Sequence, residues 1–187
     1  MLRSALPLML AAALLTSCSE RPPAFRGTAL PGVEWGGDFT LTSHRGTTLD
    51  TASLRGQVQV LFFGFTHCPD ICAPTLIKLA QATRALGADG QRVQVLFVTV
   101  DPDHDTPSQL AAFLSKIDPG FIGLTGKAEA LKAVAVDHKI YAQGSQGSIT
   151  HSGSLLVKDA GGRMRLVIPE SATVEDIVHD LRLLLRP

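Results

Sequence analysis

The stretch VQVLFFGFTHCPDICAPTL, Val58 to Leu76, constrains this chain more than any other. Gln57 to Phe65, rich in Val, Leu and Phe, reads as a buried strand. From Pro74 to Leu86 the apolar residues Leu76, Ile77, Leu79, Ala80, Ala82 and Leu86 fall close to helical spacing, and Gly87 and Gly90 close that helix. Cys68 and Cys72 stand where strand gives way to helix. One helical turn, about 6 Å of rise, separates them, which is within the Cα spacing of a disulfide. Both sulfurs can face the same way. Unpaired amides at a helix start favour thiolate, the form that attacks disulfides and binds metals. A structural bridge, a redox couple and a metal site are all open on this spacing.

The elements around this stretch give an order. DFTLTSHRGTTLD alternates about His44-Arg45-Gly46 as a hairpin does. Arg92 to Val100 is a second buried strand, and Thr106-Pro107 starts a helix with Thr as cap and Pro in its first turn. Gly126 to His138 reads as another helix. Gly153 to Asp159 and Met164 to Ile168 form a hairpin, and Thr173 to Leu185 a final helix with Glu175 and Asp176 in its first turn. Two β-α-β crossovers, an antiparallel hairpin and a closing helix predict an α/β fold: a central mixed sheet flanked by helices, with an N-terminal β-hairpin extension. This is the order of a thioredoxin-like domain.

The N-terminus MLRSALPLMLAAALLTSC has one basic residue, an apolar run from Ala5 to Leu15, and small residues before Cys18. The run is shorter than the about 20 residues a bilayer requires and fits an export signal. Leu15-Thr16-Ser17-Cys18 resembles a bacterial lipobox, which implies cleavage before Cys18 and lipidation of its thiol. The expected organisation is a lipoprotein signal peptide over 1–17, a lipid-anchored flexible tether over 18–37, and the domain over 38–187. It places the domain in the periplasm of a bacterial cell envelope, held to a membrane by lipid. With Cys18 so used, one thiol pair remains, which is not a disulfide scaffold, and a core of this size does not need stapling. Charge is balanced at 17 basic and 17 acidic residues, with no basic stripe, so a nucleic-acid partner is not expected.

The flanks of the cysteines carry a family pattern. FFGFTHCPDICAPTL resembles the Sco/SenC family, whose motif runs Phe-Gly-aromatic-Thr-x-Cys-Pro-Asp-(Val/Ile)-Cys-Pro. VTVDPDHDTPSQLAAFL, FIGLTG and THSGSLLVKDAGGRM agree in order and spacing. The resemblance implies a thioredoxin-like fold and one copper ion per monomer, held by Cys68, Cys72 and His151. It also implies delivery to the CuA-bearing subunit of a respiratory terminal oxidase, with other copper chaperones as further partners. Ala73 departs from the family proline, and Thr150 stands where many members carry aspartate.

The residue chemistry fits that implication. Soft thiolates favour Cu(I), while an imidazole helps to hold Cu(II), and three ligands leave the ion accessible. A closed zinc site would need a fourth ligand, for which His67 is the neighbour at hand. The alternative is a thiol–disulfide oxidoreductase keeping a partner's copper-ligand cysteines reduced, with Cys68 attacking, Cys72 resolving, and the pair cycling through a redox-active disulfide. Its three-residue spacer differs from the two of thioredoxin-type motifs. A redox or copper sensor is a third reading, though no output module is marked. Two acids are candidate supports: Asp70, which either accepts amide hydrogen bonds or meets the helix dipole, and Asp101, which either positions the cysteine loop or caps the next segment. His44 is read as a turn residue, Met164 as packing, and His104, His138 and His179 as solvated surface.

Overall fold

The computed structural model describes residues 24–140 and 153–186; Cys18 and His151 lie outside them. Eight strands form one sheet: β1 (Thr28–Ala29), β2 (Thr40–Ser43), β3 (Thr48–Asp50), β4 (Val58–Gly64), β5 (Val93–Thr99), β6 (Ile122–Thr125), β7 (Leu155–Lys158) and β8 (Met164–Ile168), in the spatial order β1-β8-β7-β4-β5-β6-β2-β3. Strands β4, β5 and β6 run parallel at the centre, while β7, β8 and β1 on one side and β2 and β3 on the other are antiparallel. Four helices complete the fold: α1 (Cys72–Ala85), α2 (Pro107–Leu114), α3 (Ala128–Asp137) and α4 (Val174–Leu185). The mixed sheet with flanking helices is the thioredoxin-like architecture that the element order predicts.

Alternation along the central strands builds two cores. Val60 and Phe62 of β4, with Val95 and Phe97 of β5, face Leu76 and Leu79 of α1, Leu110 and Leu114 of α2, and Ile177 and Leu181 of α4. Leu61, Phe63, Leu96 and Val98 face the opposite side and meet Leu131, Val134 and Ala135 of α3. Every residue of β4 is buried, because both of its faces are covered. Helices α2 and α4 start on complete capping boxes, Thr106 with Gln109 and Thr173 with Asp176.

The structure differs from the sequence reading in four places. Helix α1 begins at Cys72, two residues before Pro74, so the second cysteine lies inside the first turn. Strand β6 has no counterpart in the predicted order; it is four residues long and includes a glycine. A Cβ at Gly123 would stand 2.9 Å from Leu114 and 3.1 Å from Leu110, so glycine lets α2 press on this strand. Residues 25–35, within the stretch read as a tether, pack on the domain. Thr28 and Ala29 pair with β8, Phe25 joins one core, Leu30, Val33 and Trp35 join the other, and Asp180 accepts from the N–H groups of Arg26 and Gly27 at 2.8 Å each.

His138 is the fourth. Read as surface, it is instead 1% exposed. It stands edge-on to Phe39 with centroids 5.2 Å apart and 5.7 Å from Phe63. Its Nδ1 lies 2.9 Å from the Val134 carbonyl, and Nε2 is buried without a hydrogen-bond partner. Periodicity had placed it at the polar end of α3; what buries it is the N-terminal segment, which closes over that end through Phe39 and a Gly37 N–H bond to Asp137.

Candidate metal centre

The cysteine loop hangs between the end of β4 and the start of α1. The residue preceding α1, Ile71, offers no side-chain cap, and the first turn holds no acid. The amides of this helix start are therefore open. Cys68 fills that role: its sulfur takes backbone hydrogen bonds from Ile71, Cys72 and Asp70 and a side-chain hydrogen bond from the Cys72 thiol. Partial burial raises the Cys68 pKa, but these donors together outweigh it and bring the thiol below its ordinary value. Cys72 is fully buried, and burial pushes its thiol far up. The main chain of Phe65 works against that push, while the Cys68 and Asp105 charges add to it. The two thiols, not joined as a disulfide, are thus unlike: an accessible sulfur inclined to thiolate and a buried one that holds its proton.

Two residues that the sequence reading did not single out shape this loop. Gly64 ends β4 directly beneath it, and a Cβ there would stand 2.8 Å from Cys72 Sγ and 2.8 Å from the Phe97 ring. Only glycine leaves room for the second sulfur. Asp105 is fully buried. It accepts from Thr66 N–H at 3.1 and 3.2 Å, Thr66 Oγ1 at 2.5 Å and Thr99 Oγ1 at 2.6 Å. Its carboxylate thereby ties the cysteine loop to the end of β5. The available signal was an aspartate directly before a capped helix, with no capping role of its own.

Asp101 also lies beside the loop. Its Oδ2 is 3.3 Å from Nε2 of His67 and 2.9 Å from Nδ1 of His104, and its hydrogen bond raises the His104 pKa. Its carbonyl accepts from the N–H of Asp105 at 2.9 Å, so it both reaches the loop and closes the following turn. Asp70 is exposed; it serves Cys68 through its main chain. His44 does more than turn the hairpin: its N–H donates to the Gly123 carbonyl at 2.7 Å and its Nδ1 accepts from Gly123 N–H at 2.9 Å, clasping β6. His179 is half-exposed on Asp180, 2.9 Å away. Met164 is buried packing.

Gly153, ahead of β7, lies near this same loop. A Cβ at Gly153 would stand 3.2 Å from Cδ1 of Ile71, the residue next to Cys72. Among the described residues no helix is long and apolar enough to cross a membrane.

Comparison with known proteins places these residues in company. The SCO1/SenC family model matches residues 28–186. The mitochondrial SCO2 homolog of Bos taurus is 46% identical over 107 residues, covering 56% of this chain and 40% of that protein. The chain spans between 40% and 67% of the length of the first curated relatives it matches. Among solved structures, copper-bound ScoI of Bradyrhizobium japonicum shares 33% identity at a TM-score of 0.71, covering 79% of this chain and 98% of that one. A SCO1/SenC family lipoprotein from Bacillus anthracis shares 28% at a TM-score of 0.76, covering 87% and 100%.

Proposed function

The chain belongs to the SCO1/SenC family, and from that premise we propose that it is a copper carrier for assembly of the CuA centre of a terminal oxidase. Cys68, Cys72 and His151 hold the ion, and a lipid on Cys18 keeps the domain at a membrane of the cell envelope. The observation that carries this reading is the Cys68–Cys72 pair, with one sulfur inclined to thiolate on the open amides of a helix start and the other packed beside it. Two thiolates suit Cu(I), and an imidazole extends the set to Cu(II). His151 is two residues before Gly153, and two residues of chain reach at most about 7 Å. Gly153 stands near enough to the loop that an added Cβ would lie 3.2 Å from Ile71 Cδ1, which supports a histidine arriving there. Copper-bound structures of relatives from Bradyrhizobium japonicum and Arabidopsis thaliana support copper as the cargo.

Loading asks different things of the two thiols. Cys68 presents its sulfur first. Cys72 must give up a proton that burial retains, so binding to both sulfurs releases protons and weakens as pH falls. The Asp105 carboxylate sets the loop but opposes ionisation of Cys72. The pair must be reduced to bind, so oxidation to a disulfide gates loading.

Thiol–disulfide exchange is the second reading, favoured by the same asymmetry: Cys68 suits the attacking role and Cys72 the resolving one. One paired measurement separates the two. The full chain is used, because residues 25–35 pack on the domain. Reduced protein titrated with copper binds one ion per chain, and His151→Ala weakens Cu(II) binding strongly while leaving disulfide exchange nearly intact. Weak copper binding indifferent to His151→Ala, alongside fast disulfide reduction, would overturn the carrier reading.

A further inference from the structure

Beyond the cysteine pair, another set of ligating side chains gathers at this end of the sheet: His67, Asp101 and His104, whose donor atoms all lie within 4.8 Å of one another. They come from two segments. His67 belongs to the loop between β4 and α1, while Asp101 and His104 belong to the turn between β5 and α2. Both imidazoles address one oxygen, Asp101 Oδ2, at 3.3 and 2.9 Å, and the rings stand edge to face with centroids 5.1 Å apart.

We propose that His67, Asp101 and His104 form a second cation site, free of sulfur, for a borderline divalent ion with Cu(II) foremost. Two imidazole nitrogens and one carboxylate oxygen are a donor set that suits Cu(II), Zn(II) and Ni(II), and the Irving–Williams order ranks Cu(II) above the others. Metal–imidazole bonds of about 2.0–2.1 Å let one ion bridge donors some 3–3.5 Å apart, close to the 3.3 and 2.9 Å that separate Asp101 Oδ2 from the two imidazoles. The triad is braced from behind: Asp101 N–H donates to Thr99 Oγ1 at 2.9 Å, its carbonyl takes the Asp105 N–H at 2.9 Å, and the Phe65 ring stands 4.7 Å from that of His67. Asp101 forms the floor with 13% of its side chain exposed. The imidazoles form a rim at 43% and 67%, which leaves the outer coordination positions to water. His67 immediately precedes Cys68, so an ion here sits beside the thiols without using them.

The site is tested where the cysteine pair has no part in the outcome. Full chain carrying Cys18→Ser, Cys68→Ser, Cys72→Ser and His151→Ala is titrated with copper(II) sulfate, followed by calorimetry and electron paramagnetic resonance. One Cu(II) per chain is expected, with coupling to two imidazole nitrogens and no sulfur-to-copper charge-transfer band. Adding His67→Ala or His104→Ala weakens binding by roughly tenfold or more, while His179→Ala leaves it unchanged. Far-UV circular dichroism verifies that every variant, the buried Cys72→Ser included, keeps the fold. No Cu(II) held at micromolar concentration, or an ion indifferent to both histidine substitutions, overturns the proposal and leaves a hydrogen-bonded triad only. Loss of copper from the cysteine pair in native sequence would not produce either result, so the two readings fail separately.

Discussion

Protonating His138 is a perturbation whose cost can be worked from its surroundings. The ring is 1% exposed between Phe39 and Phe63, and its Nε2 meets no hydrogen-bond partner. Burial first, and then the nearby Lys158 ammonium, lower its pKa from the ordinary 6.5 to about 4, against smaller opposing effects from the Val134 carbonyl and the Asp137 carboxylate. The folded value lies below the unfolded one, so the fold favours the neutral ring. That contribution is whole above pH 6.5 and is lost as pH falls toward 4. At about 1.4 kcal/mol per pKa unit, His138 removes roughly 2.5 kcal/mol of stability by pH 4.5, a large share of the 5–15 kcal/mol that holds a typical domain. Urea unfolding of the full chain from pH 7.5 to 4.5, beside His138→Leu, measures it. Carboxylates titrate in both proteins, so only the difference between the two slopes belongs to His138. Nuclear magnetic resonance of the ring provides a second reading, with the imidazole staying neutral until near pH 4. A ring that titrates near 6.5 in the folded protein, or two stability curves that run parallel, would refute the reasoning.

Three further outcomes follow from the cysteine loop. At neutral pH iodoacetamide modifies Cys68 first and leaves Cys72 intact until the protein unfolds; equal rates would contradict the asymmetry of the two sulfurs. Gly64→Ala lowers stability by about 1–3 kcal/mol and slows oxidation of the pair, because its methyl claims the space of Cys72 Sγ and the Phe97 ring. Urea unfolding and thiol titration read both effects, and wild-type behaviour in both would count against the packing argument. Asp105→Asn keeps the shape but weakens charge-assisted bonds from two threonine hydroxyls, for a loss of about 1–3 kcal/mol, and it eases ionisation of Cys72. A stability loss with no gain in Cys72 reactivity would leave Asp105 a structural tie alone.

Much of the fold was legible because its signals are local. The strand at Gln57 to Phe65, the Thr106-Pro107 start of α2 and the Thr173 cap of α4 each depend on residues within one turn or one pleat, and each stands within a residue or two of its expected place. β6 escaped because four residues with a glycine carry no periodicity of their own; its strand character comes from β5 and β2 on either side. β1 escaped for the same reason, as two residues gain a partner only once β8 is formed. At the site, sequence spacing sufficed to bring the two cysteines together. Asp105 and Gly64 act through groups distant in sequence or through the space they leave open, and neither is marked by spacing. His138 was misread because helical periodicity reports one face of α3 and nothing of the N-terminal segment that covers its end.

The pairing of β1 with β8 fixes where any pull on the N-terminus is felt. Thr28 stands opposite Val167 and Ala29 opposite Leu166, while Ile168 is level with Leu155 and Leu155 with Phe62. The polypeptide therefore enters the sheet at the end where β4 hands over to the cysteines, and runs away from them. Under the proposed lipid on Cys18, the domain would be held from the end of the sheet that bears the cysteine loop. Tension along that attachment falls first on Asp180, which grips the Arg26 and Gly27 amides, and only then on the two-residue strand behind it. A domain held in that way would keep its thiols turned toward the point of attachment rather than away from it.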